Sequence, residues 1–271
     1  PRDAARALSL IAMLMALGPA IAPLLGGVVI LVLPWPVIFL FLATYGALMI
    51  VLLHIYLPES IPQKQSLHPL SIARNYWQLI LDPHYLFITI ASALVYTGLI
   101  TYLSSSSFVY IDMLGVPVQY FGFIFLSTVA GYMAGSAISA RISYRYDSEQ
   151  TIMVGAALCL LGAAIMWLGN TLLPNSVMVL MLPMTLYAIG MGLIMPHAMA
   201  VALAPFPHIA GTASSLLGFI QMSLSALGAA AVGQALSDSP KPMLAAMLAF
   251  NLTSLLLASR VYYLHRRRTL T

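Results

Sequence analysis

Apolar runs of about twenty residues, separated by short polar intervals, fill the chain from Leu8 to Leu264. A helix needs roughly 20 apolar residues to cross a bilayer. Runs of that kind fall at 8–33, 36–57, 84–110, 119–140, 151–170, 177–203, 211–235 and 243–264. Such long unbroken runs exclude a transmembrane β-barrel, whose strands alternate over about ten residues. The pattern predicts an all-α polytopic membrane protein with about eight spans. The longest polar interval, Pro58 to Pro83, follows two spans and precedes the rest. Within it Leu70, Ala73, Trp77, Ile80 and Leu81 share one helical face, and Ser71, Arg74, Asn75, Gln78 and Asp82 the other. That arrangement predicts a short amphipathic helix lying on the membrane surface. The division is therefore 1–57, 58–83 and 84–271.

Inside the first run, Leu17 to Gly27 holds Pro19 and Pro23 with Gly18, Gly26 and Gly27. Prolines at these positions free the carbonyls of Met15 and Pro19, which a membrane helix tolerates through its neighbours. Gly18, Ala22 and Gly26 recur every four residues, a smooth stripe that admits another helix closely. The same spacing recurs at Ser127, Gly131, Gly135 and Ser139, and at Ser225, Ala229 and Gly233.

Composition agrees: 61% of residues are hydrophobic and 7% charged, with a mean hydropathy of +0.97, where a soluble domain carries about 25% charged residues. Of the 11 Lys and Arg, all but Lys241 fall on one side when the N-terminus is cytoplasmic. By the positive-inside rule both ends are then cytoplasmic. Topology and anionic lipid account for the net charge of +4, so no nucleic-acid partner is expected. The single Cys159 lies mid-span and reads as a packing residue. The chain opens at Pro1 with neither an initiator methionine nor a signal peptide, as a segment cut from a longer sequence would.

Several segments carry a resemblance. Ala16 to Gly27 resembles the fifth-helix antiporter motif of the major facilitator superfamily, and Leu57-Pro58-Glu59-Ser60 the close of its sixth helix. Ala198-Met199-Ala200-Val201, Phe206-Pro207-His208, the stretch Ala210 to Leu216 and Phe108-Val109-Tyr110-Ile111 are similar to the bicyclomycin/chloramphenicol-resistance branch. The resemblance implies a partial fold, the last two helices of an N-terminal bundle followed by a six-helix C-terminal bundle. It implies a multidrug:proton antiporter of the bacterial inner membrane, monomeric as a complete chain, working by alternating access on small hydrophobic drug-like substrates. It also implies that four helices, with the proton-coupling acid, precede this segment.

On that basis Gly18, Pro19, Pro23, Gly26 and Gly27 form the antiporter-motif helix, and Ser127, Gly131, Gly135 and Ser139 its partner across the seam; packing inside one bundle is the competing use of the second stripe. Tyr96, Tyr102, Tyr187, Met191 and Gln221 are the expected substrate pocket, with core packing the alternative for the methionine and aromatic positions. Ser104 to Ser107 read either as a wet cavity wall or as a fraying helix end. His197 is the only ionisable side chain placed to face a cavity, as a proton-linked group or as a satisfied interfacial histidine. Arg141, Arg145, Asp147 and Glu149 read as a topology anchor.

Enzymatic chemistry fails on inventory. The sequence shows no metal-spaced His/Cys/Asp set, no phosphate loop and no pair of buried carboxylates, so no catalytic residue, metal or cofactor is expected. The alternatives are export of a sugar or metabolite, a non-transporting membrane fragment and, remotely, an intramembrane serine hydrolase.

Overall fold

Proline and a polar cap open several of the helices. In the computed structural model, which describes residues 33–57, 68–174, 176–236 and 239–270 with isolated positions before them, α1 (Pro36–Tyr56), α2 (Pro69–Leu81) and α3 (Pro83–Ser107) each begin with proline in the first turn. Proline is suited there because the missing N–H would have had no helical acceptor. Asp82 Oδ1 accepts the backbone N–H of Tyr85 at 2.7 Å, capping α3. The remaining helices are α4 (Val118–Ile142), α5 (Ser148–Leu172), α6 (Val177–Leu203), α7 (Ala210–Ala235) and α8 (Lys241–Leu270). Among the described residues every regular element is helical, and 7 helices are long and apolar enough to cross a membrane. The expected run 8–33 lies outside the described residues, apart from isolated positions that include an exposed, helical Gly18.

Residues 83–263 form the packed body. α6 lies against α4, α5 and α3, and α3 lies against α7, α8 and α6, while α8 also packs on α5. Exchanging α3 with α6, α4 with α7, and α5 with α8 reproduces each of these pairings, while the lesser contacts of α7 with α6 and α8 have no counterpart. Three antiparallel helices in each half give the halves opposite orientations across the membrane, an inverted repeat. α6 keeps its helix through Pro183 and Pro196, as a helix surrounded by others in lipid does. By contrast no residue of α1 is buried.

Close approach of backbones holds this body together. A Cβ on Gly131 would meet the Thr185 carbonyl oxygen at 2.5 Å, and one on Gly192 the Ser136 N and Tyr132 O at 2.6 Å; one on Gly135 would collide with the Ile189 backbone. The small-residue stripe of α4 is therefore used inside the bundle, against α6. Gly131 and Gly135 are thus put to the competing use, packing inside one bundle, while the helix expected across the seam lies outside the described residues. Ser127 is partly buried with its hydroxyl on the Ile124 carbonyl at 2.7 Å, and Ser139 is buried. Gly155 and Gly190 bring α5 and α6 together in the same way, with Cys159 Sγ beside Gly190.

Two local features differ from expectation. The α3 helix runs through the serines instead of fraying, then passes into a π-helical segment over Phe108–Met113. Gly115, at φ 67°, turns the chain towards α4. α2 forms where the amphipathic pattern placed it, yet it turns Leu79 to the bundle and leaves Leu70 and Trp77 exposed, at 74% and 64%. Its apolar face points away from protein, as required of a helix whose other partner is lipid.

Candidate functional site

The interior of the bundle carries polar contacts between helices, each satisfying a group that lipid would leave unpaired. The Tyr187 hydroxyl on α6 donates to the Val95 carbonyl on α3 at 2.6 Å and accepts from Asn251 Nδ2 on α8 at 3.2 Å. Gly98 leaves the room for that hydroxyl, since a Cβ there would collide with it. Tyr85 donates to the Ala213 carbonyl at 2.6 Å, and Ser254 to the Ala91 carbonyl at 2.7 Å. Thr97 and Ser225 lie 3.4 Å apart, oxygen to oxygen. The Tyr102 and Tyr110 hydroxyls meet at 2.8 Å, bridging α3 and the π segment.

These contacts correct part of the expected pocket. Tyr102, Tyr187 and Met191 are buried inside the bundle, and both tyrosine hydroxyls are occupied by protein groups. A wall residue of a cavity between two bundles has to present its side chain away from its own bundle's core, which these three do not. Tyr96 and Gln221 remain partly exposed. Gln221 on α7 donates through Nε2 to Met195 Sδ on α6 at 3.5 Å. Tyr132 on α4 is partly buried like Tyr96 on α3. Tyr132 and Met195 were missed in the sequence because one sits beside a glycine of the α4 stripe and the other is one of 16 methionines.

His197 is fully buried, and neither ring nitrogen has a hydrogen-bond partner among the described residues. The expectation of a satisfied interfacial histidine is thus corrected, and its depth keeps it from an open cavity wall. Pro19, Pro23, Gly26 and Gly27 lie outside the described residues; nothing stands within 4 Å of the position a Cβ on Gly18 would take. Ser104 is exposed while Ser105 and Ser106 are buried, at 4% each. Among the described residues no group of three or more His, Cys, Asp or Glu could hold a metal ion.

Seven apolar spans among the described residues, six of them packed as a bundle with an inverted internal repeat and interhelical polar contacts, define a multi-pass membrane protein of the secondary-transporter type. The sequence matches the Major Facilitator Superfamily over residues 1–229, and the chain belongs to that superfamily of transporters. It is 29% identical over 269 residues to the bicyclomycin resistance protein homolog of Haemophilus influenzae, covering 98% of this chain and 66% of that protein. It is 26% identical over 238 residues to the uncharacterized MFS-type transporter YdgK of Bacillus subtilis, 86% of this chain and 58% of the relative. To the multidrug resistance protein MdtL of Vibrio parahaemolyticus it is 29% identical over 229 residues, 82% and 56% respectively. The chain thus spans between about half and two thirds of the length of the curated relatives it matches.

Proposed function

We propose that this chain is part of a multidrug exporter of the bacterial inner membrane that exchanges amphipathic drug-like molecules for protons by alternating access. In this reading residues 1–57 are the last two helices of the N-terminal bundle, 58–83 the cytoplasmic connection and 84–271 the C-terminal bundle. Both termini are cytoplasmic and the complete protein is a monomer. The observation that carries the reading is the similarity, over 98% of the chain, to a bicyclomycin resistance protein homolog. Tyr96 and Gln221, with Tyr132 and Met195, form the substrate-facing wall. Aromatic rings and a thioether suit substrates of varied shape, because neither imposes a fixed hydrogen-bond pattern. The antiporter-motif helix around Gly18 to Gly27 moves against the C-terminal bundle while limiting leak.

The test is ethidium accumulation in cells lacking their own exporters, with and without the full-length protein, together with proton flux in everted vesicles. Lower accumulation, abolished by a protonophore, and ethidium-stimulated proton flux are expected. Flux that responds to sugars and not to ethidium would transfer the assignment to a sugar or metabolite exporter.

A further inference from the structure

The π segment, the serine run and the α7 stripe converge at one place. Between the C-terminal ends of α3 and α7 lies a cavity of about 310 Å³, lined by Ser104, Ser105, Phe108, Ala229, Gly233 and Leu236. Its size is at the lower limit for small-molecule sites, about 300 Å³. It sits at the end of the bundle opposite the arginines Arg141 and Arg145, the outer end under the charge bias.

Three observations mark it as more than a packing gap. Ser105 is 4% exposed, yet its hydroxyl lines the cavity and makes no hydrogen bond among the described residues. A hydroxyl in that position has its donor and acceptor capacity left for whatever enters the space. Ser104 donates to the Ile100 carbonyl at 2.8 Å and keeps its acceptor capacity. Second, the π segment begins at Phe108, itself a cavity residue, and π turns are interruptions of the helical ladder found frequently at functional sites. Third, Ser104 follows Tyr96 by eight residues on α3, as Ala229 follows Gln221 on α7. At 1.5 Å per residue, both lie about 12 Å further along the same two helices from the substrate-facing wall.

We propose that this cavity is a second ligand site, an exit vestibule that holds a small amphipathic aromatic molecule. An amine or hydroxyl of the ligand bonds Ser105 and Ser104, and its ring rests on Phe108 and Leu236. No charged side chain lines the cavity, so the occupant is uncharged or a delocalised cation of the kind an aromatic face attracts. The assignment of exit rests on the export reading above; the existence of the site does not.

Gly233→Cys places a reactive thiol in the cavity without disturbing the fold, since nothing lies within 4 Å of its Cβ position and the native Cys159 is buried. The full-length variant, in membrane vesicles, is labelled with N-ethylmaleimide in the presence and absence of ethidium. Ala229→Cys supplies an independent second reporter. Ethidium is expected to slow labelling at least threefold at both positions, and Gly233→Trp to lower ethidium transport at least threefold. Thiols that react equally fast with ethidium present, or only after denaturation, would overturn the site. Transport by wild type without protection leaves the export reading intact and removes the vestibule. Protection in a protein that moves no ethidium keeps the site and removes export, and Gly233→Trp transporting at the wild-type rate removes the exit role.

Discussion

Gly192 sets the distance between α4 and α6, and an added methyl group has nowhere to go. In Gly192→Ala the new Cβ would lie 2.6 Å from the Ser136 nitrogen and Tyr132 oxygen and 2.8 Å from the Gly135 carbonyl carbon, where ordinary contacts begin at 3.4 Å. All three atoms are backbone, so no side-chain rotation relieves the clash. The helices must separate by about 0.8 Å at the crossing, which also opens the approach of Gly131 and Gly135 to α6. A radial gap of about 0.5–1 Å forfeits a quarter to a half of each dispersion contact, and overpacking costs about 1–3 kcal/mol. In lipid this packing is the main attraction between helices, so a loss of about 2–3 kcal/mol is expected at the upper part of that range. At about 2–4 °C per kcal/mol, the apparent melting temperature falls by about 4–12 °C. The single cysteine provides the assay: Cys159 is buried in the bundle and reacts with a fluorogenic maleimide as the bundle opens. Gly218→Ala is the control, a helical position with nothing within 4 Å of its Cβ, where higher helix propensity leaves stability unchanged or raised by up to about 1 kcal/mol. A Gly192→Ala melt within 1 °C of the Gly218→Ala control would refute the close-approach account.

A double-mutant cycle of Tyr187→Phe and Asn251→Leu, followed by the same melt, should show coupling of about 0.6 kcal/mol, the usual worth of an interhelical hydrogen bond in lipid; strictly additive losses would deny the Tyr187–Asn251 contact. His197→Leu should leave the melting temperature unchanged or raise it, because the imidazole has no partner to lose among the described residues. If protonophore-sensitive ethidium efflux also survives in that variant, His197 has no part in proton linkage. Tyr96→Ala should raise the apparent KM for ethidium about 3- to 10-fold through loss of an aromatic contact of about 0.5–1.5 kcal/mol, with a modest drop in the melt because the ring is partly buried against the bundle core. An unchanged KM would remove Tyr96 from the substrate-facing wall.

The arrangement of apolar runs was enough to specify the solvent, the helical class and the position of each described span. In a bilayer a backbone without internal hydrogen bonds is too costly, so length and hydrophobicity alone select a spanning helix. The amphipathic α2 was legible for a similarly local reason, whereas Asp82, read as part of its polar face, proved to cap α3. The neighbours of each face were not. In lipid both the buried and the exposed sides of a helix are apolar, so periodicity does not separate a stripe that meets a partner in the same bundle from one that meets another bundle. Gly131 and Gly135 went to α6 for that reason. The same ambiguity hid the tyrosines: Tyr187 and Tyr96 are alike in sequence, and only the nearness of the Val95 carbonyl and Asn251 made one an interior strut and left the other partly exposed. The cavity at Ser105 likewise is set by how the ends of α3 and α7 sit together, because an empty volume is a property of the distance between helices and of no residue in them.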